Sequence, residues 1–137
     1  MWWIYALLSA VFAALTAIFA KIGIKGVNSD LATAVRTVVI LFIAWGIVLA
    51  RGNTKDLAIL SKENIIFLVL SGIATGLSWV FYFKALSLGD ASKVAPIDKL
   101  SVAFVIILAA IFLREAITIK TAIGAALIIG GSLVLIL

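Results

Sequence analysis

Residues 64–88 read NIIFLVLSGIATGLSWVFYFKALSL, and this stretch decides the fold class. It carries a single charge, Lys84, close to its end. A helix that crosses a hydrocarbon core of about 30 Å needs about 20 consecutive apolar residues, so the run predicts a membrane span. Gly89 marks its stop. Four more runs of the same kind lie on either side: Trp2 to about Ala20, Leu31 to Ala50, Ala91 to Leu113, and Ile117 to Leu137. The expected fold is therefore all-α, a polytopic bundle of five transmembrane helices at about 2–20, 31–50, 64–88, 91–113 and 117–137, forming one transmembrane domain over 1–137.

Composition agrees. Hydrophobic residues make up 66% of the 137 and charged residues only 12%, against about 45–50% and about 25% in an ordinary soluble domain. The formal charge of +5 comes from cations scattered singly between apolar runs rather than clustered as a nucleic-acid reader needs, so no nucleic-acid partner is expected. With no cysteine and no histidine, the chain has no disulfide, thiolate, imidazole base or ordinary zinc site. No nucleophile and base, and no pair of carboxylates, stand at a recognisable spacing. Neither an enzyme nor a cofactor nor a metal site is expected. The amino terminus lacks the basic region of a cleaved signal, so the first span is expected to stay in the mature protein.

The connections are short. Asp30 is the expected N-cap of the second span, and Asp90 that of the fourth, which would continue past Pro96 because proline is tolerated near a helix start. The longest polar stretch, Arg51 to Glu63, reads as a solvated loop, with a short interfacial helix as the alternative because it contains Leu57, Ile59 and Leu60. Five spans place the termini on opposite sides. Arg51, Lys55, Lys62, Arg114 and Lys120 then share the side of the amino terminus. Lys21, Lys25 and Lys93 lie on the other, joined by Arg36, Lys84 and Lys99 if those snorkel outward. So weak a bias does not fix one orientation. Insertion both ways round, with opposite copies paired about a two-fold axis in the membrane plane, is the resulting expectation.

Two helical stripes mix small, hydroxyl and aromatic side chains. Span one presents Trp2, Tyr5, Ser9, Ala13, Thr16 and Ala20, and span three presents Ser71, Thr75, Ser78, Tyr82 and Ala85 beside Gly72, Gly76 and Trp79. Close helix packing explains such residues, with hydroxyls bonding back to their own helix; a cavity wall for a polar organic ligand explains them too. Span five offers Gly124, Ala126, Gly130 and Gly131, which suit either assembly or packing within one chain. Trp2, Trp3, Tyr5 and Trp45 are read as interfacial anchors.

Charges inside the membrane are costly unless they reach water, a partner or a cavity. Lys84, among Leu77, Val80, Phe81 and Leu88, reads as a snorkelling lipid-facing lysine. Arg36 can snorkel or turn inward to a carboxylate. Asp98 and Lys99 lie about two turns inside the fourth span, with Ser101 close by, provided that the helix starts near Asp90. They could serve as a proton or cation site and an anion site, or satisfy each other and Arg36. The expected substrate contacts are Asp98, Lys99, Arg36, Ser101, Trp79, Tyr82, Ser78, Thr75 and Ser9.

The stretch 82–101, YFKALSLGDASKVAPIDKLS, resembles the signature of EamA-domain proteins in the drug/metabolite transporter superfamily. Phe112-Leu113-Arg114-Glu115-Ala116 is similar to that family's Phe-Leu-Gly-Glu-Arg segment, with Arg114 in place of the usual glycine and Ala116 in place of the basic residue. Ala20-Lys21-Ile22-Gly23 and residues 30–37 extend the resemblance over almost the whole chain. It implies a multi-pass cell-membrane transporter made of one five-helix repeat, where many relatives join two inverted repeats. A lone odd-numbered unit recreates that geometry only as an antiparallel homodimer. Alternating-access transport of a small metabolite or drug is then the expected function. A non-transporting subunit that binds another membrane protein or lipid is the alternative. Small multidrug cation exporters use an acidic residue in the first span, and this chain has none there.

Overall fold

A computed structural model describes residues 1–137. It contains no strand and six α-helices: α1 (Trp2–Gly23), α2 (Ser29–Ala50), α3 (Lys62–Leu88), α4 (Ala91–Asp98), α5 (Ser101–Phe112) and α6 (Ile119–Ile136). Five stretches are long and apolar enough to cross a membrane, because α4 and α5 together form one such segment, Ala91–Phe112. The five expected spans are thus present, with the fourth in two pieces. At 1.5 Å per residue α3, with 27 residues, extends about 40 Å, longer than a bilayer core, so it requires a tilt or protrudes.

The helix ends show which local chemistry sets the boundaries. Asn28, rather than Asp30, caps α2: its side-chain oxygen accepts from the N–H groups of Asp30 at 2.8 Å and Leu31 at 3.2 Å. Asp30 already stands in the first turn, where its charge suits the positive end of the helix dipole. Ser61 caps α3, its hydroxyl accepting from the Asn64 N–H at 3.1 Å. Thr118 does the same for Thr121 at 3.2 Å, which moves the start of the last helix to Ile119. Asp90 holds the N-cap position of α4 as expected, but its side chain makes no capping bond; its carbonyl accepts from Lys93 and Val94 instead.

Residues 51–63 are not a plain loop. Asn53–Ile59 form a 3₁₀ helix that packs against α2. Gly52 precedes it with φ +70°, a left-handed conformation that glycine adopts without steric cost.

By its internal contacts the chain divides into two compact bodies, Ala20–Ser87 and Met1–Phe19 together with Leu88–Leu137. In the first, the end of α1 is held to the end of α3: Lys21 Nζ donates to the Leu86 carbonyl at 2.7 Å. A cation at the carbonyl end of a helix satisfies an acceptor left over there and opposes the dipole. In the second body α6 packs against both α4 and α5. Buried apolar side chains are few: Ala17, Ile24, Phe83, Leu86 and Val94. Trp2, Trp3, Tyr5 and Trp45 are exposed, as are most Leu, Ile, Val and Phe side chains. Such a surface is at home in lipid, not in water.

Candidate functional site

Within the first body, three of the anticipated residues meet. Arg36 follows Ser29 by seven positions, roughly 10 Å along α2. Its guanidinium carbon lies 4.4 Å from the centre of the Trp79 ring and 5.2 Å from that of Phe83. Trp79 and Phe83 are one helical turn apart on α3, so both rings rise on one side and receive a single cation. Tyr82 sets its ring edge to face against Phe83, with centroids 6.4 Å apart. Phe83 is only 3% exposed. Arg36 thus stacks on the aromatic rings of α3.

The same side of α2 is polar. Ser29 and Thr33 are buried, Thr33 Oγ1 donates to the Ser29 carbonyl, and Thr37 Oγ1 donates to that of Thr33, both at 2.8 Å. Thr75 Oγ1 likewise donates to the Ser71 carbonyl at 2.8 Å, and Thr75 and Ser78 are both exposed on α3. A hydroxyl bonded to its own helix is satisfied without a ligand. Lys84 is exposed near the end of α3. A cleft of about 310 Å³ lies between α2 and the 3₁₀ segment, lined by Ala44, Trp45, Val48, Asn53, Asp56, Leu57 and Leu60.

The second body holds Asp98, Lys99, Ser101 and Ser9. The fourth span starts at Ala91, so Asp98 and Lys99 lie inside it as anticipated, but the helix is interrupted at Lys99 and Leu100, between Asp98 and Ser101. Pro96 contributes no N–H to the ladder. Over residues 99–103 the backbone bonds tighten from four-residue to three-residue spacing: Leu100 to Ile97, Val102 to Lys99, and Ala103 to Leu100, each 3.0 Å. A short 3₁₀ turn inside an α-helical span is a common place for a hinge. The Lys99 ammonium stands 3.5 Å from the Asp98 carboxylate, with side chains 56% and 39% exposed respectively. Ser101 opens α5 and is exposed, as is Ser9 on α1.

The sequence reading did not single out Phe83, Thr33 or the docking of Lys21. The signal for Phe83 was there, four residues after Trp79 on the same face. No group of three or more acidic, cysteine or histidine side chains is placed to hold a metal ion.

YFKALSLGDASKVAPIDKLS thus runs from the end of the third span into the interrupted fourth of a five-span chain. The EamA-like transporter family pattern matches residues 1–137. The chain belongs to the EamA-like transporter family. A Sinorhizobium protein described as an uncharacterized transporter in the cobO 3' region is 50% identical over 134 residues, covering 98% of this chain and 95% of that protein. No solved structure matches the chain significantly. This EamA-like protein is accordingly a multi-pass membrane transporter, consistent with the drug/metabolite transporter superfamily.

Proposed function

We propose that the chain moves a small metabolite or drug across the membrane by alternating access, as an antiparallel pair of identical five-helix repeats, each acting as one domain. The observation that carries this reading is the interruption of the fourth span beside Asp98 and Lys99. In membrane transporters, helices broken near the middle of the bilayer commonly frame substrate and ion sites, because the freed backbone and nearby charges can be satisfied by what is carried. Asp98 and Lys99 are proposed to hold the charge of the substrate or coupling ion, with Ser101 and Ser9 as hydroxyl contacts. Arg36, Trp79, Tyr82, Ser78 and Thr75 are proposed as contacts on the first body. Family membership and the transporter-named relative support transport rather than catalysis.

Open small-residue surfaces support the pairing. A Cβ built on Gly124, Gly130 or Gly131 of α6 meets no atom within 4 Å, so nothing in a single chain requires glycine there. A closely approaching partner helix would.

The test is uptake by proteoliposomes holding the purified chain, with solutes first chosen by their effect on its melting temperature. A ligand that binds only the folded state raises that temperature. Asp98→Asn is expected to abolish uptake, or its pH dependence, while the protein still assembles. Undiminished uptake by Asp98→Asn removes Asp98 from the site. Failure of every solute to stabilise or enter, together with a stable complex with a second membrane protein, favours the non-transporting subunit.

A further inference from the structure

Arg36 has an unusual environment for a charge inside a membrane span. The neighbouring α3 offers Trp79 and Phe83, whose rings approach the guanidinium carbon to 4.4 and 5.2 Å, and no carboxylate of the same body pairs with it. The other charge deep in a span of that body does not balance it. Within the same body, α3 brings only a further cation, Lys84, beyond its first turn. The hydroxyls nearest in sequence, Thr33 and Thr37, donate their protons to backbone carbonyls of their own helix and keep oxygen lone pairs, but neither is hydrogen-bonded to Arg36. Ring faces stabilise a guanidinium through their π-electrons but accept none of its five N–H groups in the manner of an oxygen. Tyr82, beside Phe83, also acts on the guanidinium electrostatically, so the arrangement fixes the position of a planar fork and leaves the rest of its hydrogen-bonding capacity to something else.

An oxyanion is the complement of such a fork. Carboxylate and phosphate accept two parallel N–H bonds from arginine, and the cost of an embedded cation falls once an anion is paired with it. The flanking rings supply apolar contact for an organic body attached to the anion. We infer that Arg36, seated on Trp79 and Phe83, is the receptor for a carboxylate or phosphate group of an organic anion, which makes the carried solute anionic. This inference rests on the reading of Arg36 as a substrate contact. A lipid phosphate shares the same chemistry and is separated from a solute by the experiment.

The full chain is purified in a neutral, phospholipid-free detergent and its melting temperature is followed with phenylphosphate, phenylacetate, phenylacetamide and phenethylamine. The two anions are expected to raise it in a saturable manner, and the amide and amine are not. Arg36→Lys, which keeps the charge but loses the fork, is expected to weaken the apparent affinity about tenfold. Arg36→Gln is expected to abolish the response. Equal effects of phenylacetate and phenylacetamide, stabilisation by phenethylamine alone, or an unchanged phenylphosphate response in Arg36→Gln overturns the inference. The comparison of anion and amide on the unaltered chain stands even if Arg36→Gln does not fold. Stabilisation by phosphatidylglycerol but not by phenylphosphate keeps the oxyanion receptor and assigns it to lipid. Uptake of a neutral or cationic solute that survives Arg36→Gln sinks the anion receptor and leaves transport standing. An Arg36-dependent anion response in a protein that transports nothing does the reverse.

Discussion

Arg114 is the residue whose backbone departs furthest from what its side chain prefers. Its φ is +55°, in the left-handed region, just past the end of α5. There the chain folds back over the helix, and the Ala109 carbonyl receives both the Leu113 and the Glu115 N–H, at 2.9 and 3.2 Å. Glycine is the usual occupant of such a position because it has no Cβ to clash with the carbonyl. The family segment Phe-Leu-Gly-Glu-Arg has that glycine at its third place, where this chain has Arg114. Arg114→Gly is expected to stabilise the protein by about 1 kcal/mol, seen as a higher melting temperature in detergent. An unchanged or lower value would mean that the Arg114 side chain compensates for its own backbone. The departure from glycine was legible in the sequence; that it falls on a left-handed residue was not. Arg36 divides in the same way. Its depth could be counted along the second span, whereas its ring partners depend on how α3 is rotated. Apart from its stripe of Ser71, Thr75, Ser78 and Tyr82 that helix is apolar, so hydrophobic periodicity, which orients a helix in a soluble protein, carries little information here.

At the scale of elements, two contacts have separable consequences. Lys21 joins the last turn of α1 to the carbonyl end of α3, where Leu86 is fully buried. Lys21→Met keeps the aliphatic stem but removes the donor, and is expected to cost roughly 1–2 kcal/mol, read as a lower melting temperature. Loss of no stability would show that water or another group can serve the Leu86 carbonyl equally well. The second contact is the tightened turn between α4 and α5. Pro96→Ala returns an N–H to the ladder and is expected to stiffen the fourth span, slowing amide exchange over residues 97–103 and lowering the uptake rate without loss of folded protein. Faster exchange there would argue that proline holds the turn rather than permits it. All five spans could be counted from length and hydropathy, because the bilayer sets a minimum length that sequence must meet. The interruption at 99–100 escaped that count, since it changes hydrogen-bond spacing without changing composition. The 3₁₀ segment at Asn53–Ile59 escaped it because a short polar stretch with Leu57, Ile59 and Leu60 satisfies a loop and an interfacial helix equally well.

For the whole molecule, the pairing of opposite copies is open to direct measurement. The chain has no native cysteine, so single cysteines placed in residues 51–63 and near Leu137 report orientation against an empty background. Roughly equal labelling from the two sides is expected, and labelling of nearly all copies from one side would rule out the antiparallel pair. Gly130→Leu, on an exposed part of α6, is expected to abolish most dimer cross-linking while leaving the single chain folded, because its first added carbon meets no neighbouring atom. Undiminished cross-linking would place the partner elsewhere.

The handful of buried apolar side chains bears on what becomes of this polypeptide in a cell. A copy stranded in water has almost no private interior to collapse around, and its greasy flanks would invite aggregation long before any native arrangement could form. Its survival must therefore be settled during synthesis, by the insertion machinery that delivers each helix and by the surveillance proteases that clear orphans. Production in excess of that capacity should yield debris rather than a reserve of foldable protein.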